Sequence, residues 1–178
     1  MTLFDFHLFY KKAKSSSFIR KGGIFMEIRG ALPQDMMFLF ELRNDPAVRG
    51  VSFNTDEIDL NTHSGWFAKK LRDANCLILI IEDGGKKIGQ VRFDKDNNVQ
   101  SAEVNIALTK EFRSRGYGSA ALKMVCKHAL EHFGVIKIIA HIKKDNAASL
   151  KSFAKAGFRI AGDVDFNGQM CAEMILEK

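Results

Sequence analysis

The run Arg113-Ser114-Arg115-Gly116-Tyr117-Gly118 concentrates residue types that bind anions. Its two glycines permit a tight turn and a close approach of ligand to backbone, and its two arginines supply positive charge. Residues 103–108, before it, read as a strand. Residues 119–133, after it, repeat apolar side chains at Ala121, Leu122, Val125, Ala129 and Leu130 with helical spacing. A glycine turn between strand and helix aims unpaired N–H groups and the positive helix end at one point, which suits a phosphate or pyrophosphate. Two other phosphate loops are disfavoured by spacing. Neither glycine precedes the Lys-Ser/Thr pair of a Walker loop, and a dinucleotide fingerprint needs three glycines in the first βαβ unit.

A second group able to do chemistry sits on the preceding strand. Alternation places Glu103, Asn105 and Ala107 on one face and Val104, Ile106 and Leu108 on the other, so a carboxylate and an amide project together. His128 and His132 are four apart on one helix, as metal ligands can be, yet no third ligand with plausible spacing accompanies them, and they read as a solvated face. Cys76, Cys126 and Cys171 are odd in number and contain no CxxC pair, which predicts reduced core cysteines in a cytoplasmic protein and no metal.

The elements that must position these groups follow from pattern. A strand over 27–31 leads into a helix opening near Pro33 and ending at Arg43-Asn44-Asp45-Pro46. After a polar loop, Asn61 or Thr62 caps a helix through Leu71. Strands over 76–81 and 87–94 flank the turn Asp83-Gly84-Gly85, and Asp96-Asn97-Asn98 turns the chain into the strand that carries Glu103. Residues 135–142 form a buried strand, Asn146 caps a short helix that stops at Gly157, and a last hairpin turns at Asn167-Gly168.

With 178 residues, 46% of them apolar, and no Pro-rich or Ser-rich linker, the chain reads as one domain over 26–178 behind an extension, 1–25. The net charge of +6 divides into +4 on the extension and +2 on the domain, too little for a broad nucleic-acid footprint. Apolar residues precede the basic cluster in the extension, the reverse of a secretory signal, and its apolar run is too short to span a membrane. It reads either as an amphipathic lead-in helix or as translated leader. Lys21-Gly22-Gly23, two residues before Met26, is what a ribosome-binding sequence would encode in frame, so the native start is expected at Met26. A peptide containing Phe4 or Phe9, from protein made at the native locus, would end that idea.

The loop Arg-x-x-Gly-x-Gly resembles the coenzyme A pyrophosphate loop of the GNAT acetyltransferases. The strand AEVNIAL, 102–108, is similar to the family's central strand, and NAASLKSFAKAGF, 146–158, to its Asn-capped helix ending in Gly-Phe. The resemblance implies an α/β GNAT fold, a mixed, mostly antiparallel sheet of about six to seven strands with about four helices and splayed central strands. It also implies acetyl-CoA as donor, without a metal. Backbone at Ile106, Ala107 and Leu108 would receive the pantetheine arm, and Arg113, Arg115, Gly116, Tyr117, Gly118 and Ser119 the pyrophosphate, with Asn146 and Phe153 on the following helix. Glu103 stands where many members carry the general base; the alternative is a surface carboxylate. Where the family often has a tyrosine proton donor this chain has Phe153, so Ser149, Ser152, water or no donor at all must serve the departing thiolate. The mechanism implied is direct transfer without an acyl-enzyme.

A longer resemblance concerns the acceptor. LRNDPAVRGVSFNTDEI, HSGWFAKKL and EDGGKKIGQVRFD, in that order, resemble the GNAT domains that acetylate the 4-amino group of nucleotide-linked deoxy-amino sugars in pseudaminic-acid-type pathways. Arg43, Asn44, Arg49, His63, Trp66, Arg92 and Asn105 would then line the acceptor site, their guanidinium, amide and aromatic groups suiting a diphosphate, sugar hydroxyls and a base. Trp66 and His63 have ordinary alternatives as core and helix-start residues, and Arg92 faces either the cleft or solvent. The partner implied is a small nucleotide-sugar, with no nucleic acid or membrane and room for a homodimer. RN-D/H-P openings also occur in ribosomal-protein-type N-terminal acetyltransferases, the first alternative. Phe153 leaves a catalytically idle CoA-binding module as the second.

Overall fold

Strand β3, Cys76–Asp83, is apolar at six successive positions, and both its faces are covered. Leu77, Leu79 and Ile81 pack into the larger core, with Ala121, Leu122 and Val125 of one helix and Phe153 and Ala156 of another; Cys76, Ile78 and Ile80 pack on the opposite face with Leu39 and Phe67. A strand buried on both faces belongs at the centre of a helix-covered sheet.

This computed structural model describes residues 17–21 and 24–178. In chain order the elements are β1 (Ser17–Lys21), β2 (Ile24–Gly30), a 3-10 turn (Pro33–Asp35), α1 (Met36–Asn44), α2 (Pro46–Arg49), α3 (Leu60–Arg72), β3 and β4 (Lys86–Asp96). They continue with β5 (Ser101–Leu108), a 3-10 turn (Lys110–Phe112), α4 (Tyr117–His132), β6 (Lys137–Lys143), α5 (Ala147–Ala156), β7 (Arg159–Phe166) and β8 (Gln169–Glu177). The sheet runs β1-β2-β3-β4-β5-β6-β8-β7, antiparallel except for β5 against β6. The fold is the GNAT fold expected, seven strands from β2 onward, to which β1 adds an eighth.

The expected elements are present with shifted ends. Helix α3 begins at Leu60, ahead of the expected caps Asn61 and Thr62, because the Asp59 carboxylate accepts the Thr62 N–H at 2.9 Å and closes the first turn earlier. Helix α4 begins at Tyr117, not Ser119, with Gly116 left-handed at φ 87° as its N-cap. In the extension, Ser17–Lys21 is a strand paired with β2, so the lead-in helix does not include it; residues 1–16 lie outside the described residues. Met26 is fully buried in β2.

One irregularity in the sheet positions the site. β5 and β6 pair only at Ser101↔Lys137, Ala102↔Ile138 and Glu103↔Ile139. Beyond that point β5 stays with β4 to Leu108, and β6 stays with β8 to Lys143, so the two parallel strands part.

Candidate active site

A wedge opens where β5 leaves β6, and α4 and α5 begin at its open end. Along it the β6-facing backbone of 104–108 has no ladder partner, as the expected pantetheine edge requires. Ile106 and Leu108 are partly buried against the larger core, and Ala107 lies on the other face. Gly89 allows β4 to come close here: a Cβ on it would lie 2.4 Å from the Ala107 carbonyl oxygen and 2.5 Å from Leu108 Cδ2.

The loop before α4 is left-handed at Ser114 and Gly116, φ 60° and 87°. Side-chain oxygens cap α2, α3 and α5, supplied by Asp45, Asp59 and Asn146, whereas Gly116 provides none to α4. The N–H groups at Tyr117, Gly118 and Ser119 therefore have no intrahelical acceptor, an arrangement that suits an anion. Around Gly118 an added Cβ would make only ordinary contacts, the nearest being Leu108 Cδ1 at 3.7 Å, so folding does not demand glycine there. Ser119 Oγ donates to the Gly116 carbonyl, and Arg115 is exposed beside the turn.

The side chains of two residues assigned to the pyrophosphate, Arg113 and Tyr117, brace the fold, and Tyr117 offers the site its backbone N–H alone. Arg113 donates to the Leu108 carbonyl at 2.9 Å and to Asp45 at 3.3 Å. Burial would raise the Asp45 carboxyl's pKa, but Arg113 and the helix N–H groups hold it below its ordinary value. Tyr117 is a core residue whose hydroxyl donates to Asp83 at 2.7 Å. Asn146 is likewise spent on its helix, its side-chain oxygen accepting the Ser149 N–H at 3.1 Å.

Glu103 sits on the last paired rung, at the apex of the wedge. It lines an open cleft of about 690 Å³ together with Asp94, Lys95, Asp96, Ser101 and His141. Asn105 Nδ2 lies 3.4 Å from its Oε1, and across β4 and β5 Asp94 faces Glu103 as Arg92 faces Asn105. Arg92 is turned away from the buried Val91 and Phe93; it donates to Asp94 at 2.6 Å and lies over the Trp66 ring, 5.4 Å from the centroid. Lys70 donates to the other Asp94 oxygen at 2.6 Å. Burial opposes ionisation of Asp94, and the two cations prevail, keeping its pKa low. Glu103, Asn105, Arg92 and Trp66 are thus brought to one side of the sheet.

The other acceptor residues carry structural contacts, while Arg43 Nη1 is buried with no hydrogen-bond partner. Arg43 donates to the Asn54 carbonyl, Arg49 to those of Asn44 and Thr55, and Asn44 exchanges two hydrogen bonds with the backbone of Ile58. These residues fasten the loop over 50–59, which then reaches the last hairpin: Gln169 donates to the Phe53 carbonyl, and Phe53 meets Phe166 edge-on at 4.8 Å. His63 is 3% exposed, among Phe40, Trp66 and Phe67. Burial, with nearby Arg43, lowers its pKa, and its Nε2 is buried with no hydrogen-bond partner.

Phe153 is also core, 3% exposed and edge-on to Phe158 at 5.0 Å, which removes it from a position facing the thioester sulfur. Ser149 is half-buried in the first turn of α5, and the Ser152 hydroxyl donates back to Ala148. All three cysteines are buried and free, and burial pushes the Cys76 thiol up to about 12 and the Cys126 thiol higher, so neither is a nucleophile. The missing third partner for His128 and His132 is supplied spatially by Glu131; these three are the one group among the described residues with metal-ligand spacing, and none lines the cleft. No helix among the described residues is long and apolar enough to cross a membrane.

Sequence reasoning missed His141. Its ring lies between Glu103 and Glu173 and stacks on Phe166 with centroids 4.1 Å apart. The signal was weak, a lone histidine in an apolar strand.

Residues 26–159 match the family model described as "Acetyltransferase (GNAT) domain". A probable spermine N(1)-acetyltransferase from Bacillus subtilis subsp. natto (strain BEST195) is 26% identical over 78 residues, 43% of this chain, and the match spans about half the length of that relative, 51%. Among solved structures, spermidine N-acetyltransferase from Vibrio cholerae in complex with CoA and spermine superposes with a TM-score of 0.77 at 18% identity, over 85% of this chain and 95% of that one. Aminoglycoside acetyltransferase AAC(6')-Ib in complex with coenzyme A and kanamycin gives 0.76 at 14% identity, over 86% and 95%. At those identities the two structures show the fold.

Proposed function

The chain belongs to the GNAT acetyltransferase family, and on that footing we propose that it is an acetyl-CoA-dependent N-acetyltransferase whose acceptor is a small-molecule amino sugar, the nucleotide-linked form first among candidates. One observation carries the acceptor: Glu103 shares a sheet face with Asn105, Arg92 and Trp66 at the apex of the wedge. A sugar offers hydroxyls to the amide and guanidinium and an apolar ring face to the indole, while its ammonium meets the carboxylate.

The acceptor amine must be neutral to attack. Glu103 receives its first proton; the N–C bond forms at the thioester carbonyl, whose developing oxyanion the free β5 N–H groups meet. The C–S bond then breaks, and the second amine proton reaches the departing thiolate through solvent or Ser149. This sequence needs no hydroxyl at Phe153.

The nucleotide linkage rests on the three ordered motifs. Of the arginines assigned to a diphosphate, Arg43 and Arg49 serve the loop and Arg92 pairs with Asp94, and Arg92 alone is on the face that carries Glu103. A second reading, a polyamine acceptor, is favoured by the added carboxylate of Glu173 beside His141 and by the likeness to the spermine acetyltransferase. Acetyl-CoA turnover, followed as thiol release, separates the readings with a panel of nucleotide-linked amino sugars, aminoglycosides, spermidine, spermine and N-terminal peptides. The highest kcat/KM is expected for an amino sugar. A polyamine or peptide preferred tenfold would move the acceptor class, and tight CoA binding with no turnover would leave an idle module.

A further inference from the structure

We propose that His141 is a positioning residue that takes the acceptor's proton from Glu103 and passes it to Glu173, an inference that rests on the acetyltransferase reading above. His141 lies in the middle of β6, on the sheet face that carries Glu103 of β5 and Glu173 of β8. Its register partner is Glu173, and the apex rung Glu103↔Ile139 lies two residues before it. Its Nδ1 is 3.8 Å from Glu103 Oε2, and its Nε2 is 3.5 Å from Glu173 Oε2. Both separations exceed a hydrogen bond, so one carboxylate torsion or one water completes each link.

The ring is buried and held in place, and what separates it from His63, whose Nε2 is likewise buried and unpaired, is a carboxylate facing each of its nitrogens. Its side chain is 14% exposed, it is held flat against Phe166, which Phe53 braces edge-on, and its Nδ1 is buried with no hydrogen-bond partner. A buried nitrogen left unpaired is costly unless a partner arrives during the work of the site. The charged groups near this ring are Glu173 from β8, beside its Nε2, and, lining the cleft with it, Glu103 from β5 and Asp94, Lys95 and Asp96 from β4; Phe166 of β7 is uncharged.

The proton balance is closed. The acceptor ammonium gives a proton to Glu103; the Glu103 O–H gives it to Nδ1; Nε2–H gives its own to Glu173, which exchanges it with solvent. Glu103 is then a carboxylate again, and the ring, left with its hydrogen on Nδ1, returns to the Nε2 form by giving that hydrogen to water and taking one from water at Nε2 before the next acceptor. For Nδ1 to accept, the neutral ring must carry its hydrogen on Nε2, the nitrogen facing Glu173.

Two measurements on the full chain test this. His141→Gln should lower kcat about tenfold at neutral pH, less than loss of the group that touches the amine, and leave the acetyl-CoA KM unchanged. The deficit should close as pH rises past the acceptor's own pKa, and Glu173→Gln should show the same pH form with a smaller loss, about threefold. No loss, a pH-independent loss, or a loss confined to the acetyl-CoA KM would overturn the relay. Nitrogen-15 chemical shifts of the wild-type imidazoles need no turnover: a neutral His141 ring protonated on Nε2 supports the relay, and one protonated on Nδ1 overturns it. Absence of turnover by wild type with every acceptor would instead dispose of the acetyltransferase reading, with the tautomer still deciding the geometry.

Discussion

Gly89→Ala is a severe test of how β4 and β5 are fitted together. The added Cβ would stand 2.4 Å from the Ala107 carbonyl oxygen, 2.5 Å from Leu108 Cδ2 and 3.2 Å from Leu108 Cα. The Leu108 side chain can rotate away; the carbonyl cannot. Since carbon and oxygen tolerate roughly 3.3 Å, β4 has to retreat by nearly 1 Å, an overpacking that costs about 1–3 kcal/mol. The bond from the Thr109 N–H to the Ile88 carbonyl, 2.8 Å, lies in the path of that retreat. For a domain of this size such a cost lowers Tm by about 3–10 °C. Because the disturbed backbone is the expected cofactor edge, CoA should also bind more weakly. Gly65→Ala is the matched control, in the interior of α3 with nothing within 4 Å of the new Cβ. There the alanine gains helix propensity, about 0.5–1 kcal/mol, and Tm should rise by about 1–4 °C. Scanning fluorimetry reads both variants and calorimetry reads CoA affinity. A Gly89→Ala protein melting within about 1 °C of wild type would refute the close approach and its bearing on the site.

The remaining predictions concern three residues of the site and two of the frame. Glu103→Gln should cut turnover by about 10²-fold or more with acetyl-CoA affinity nearly intact, the loss shrinking at high pH; a pH-independent loss would make Glu103 structural. Gly116→Val should lose CoA binding and stability together, because its φ of 87° strains any β-branched residue, whereas Gly118→Ala should melt as wild type and bind CoA worse. Unchanged CoA affinity in both, by calorimetry, would remove the loop from the cofactor site. Phe153→Tyr should lower both Tm and turnover, since a hydroxyl buried without a partner costs about 1–3 kcal/mol; a stable, faster variant would return that ring to the sulfur. Asp35 is fully buried, and although burial alone would raise its pKa, Arg29, Lys87 and the Leu32 N–H hold it at about 2. A pKa lowered on folding stabilises above the unfolded value and is lost as pH falls from about 4 to 2; here that amounts to roughly 1–2 kcal/mol after allowing for the part-exposed cations. The urea midpoint of Asp35→Asn should lack this fall, and parallel falls in both proteins would assign the acid loss elsewhere.

The fold was legible because its signals are local. The six-residue apolar run of β3, the turn at Asp83-Gly84-Gly85 and the 3.6 period of α4 require no knowledge of distant contacts. The glycine loop was legible for the same reason, as was Glu103 by alternation along β5. What escaped depends on contacts between remote segments. Arg43 and Arg49 carry groups that suit a phosphate, and only the folded path of residues 54 and 55 reveals that carbonyls take one nitrogen of each. Arg113 was read as a cofactor ligand because its partner Asp45 lies 68 positions away. His63 looked like a helix-start residue until Phe40 and Phe67 closed over it. His141 gave no periodic signal of its own, since the register that sets it against Glu173 is made by a strand at the end of the chain.

The sheet can also be viewed as two ribbons, β1–β5 and β6–β8, stitched by a seam only three rungs long. Parallel ladders are the weaker kind per residue, and this seam is the shortest ladder among the described strands. Pantetheine carries two amides of its own, and a molecule laid along 104–108 supplies hydrogen-bonding groups where the ladder stops. A donor bound there, as proposed, would be a building element as well as a reagent, extending the seam towards α4 while it is bound and surrendering that brace when free thiol departs. Breathing between the ribbons should therefore keep time with the occupancy of the wedge, placing the mobility needed for product release at the spot where the chemistry ends.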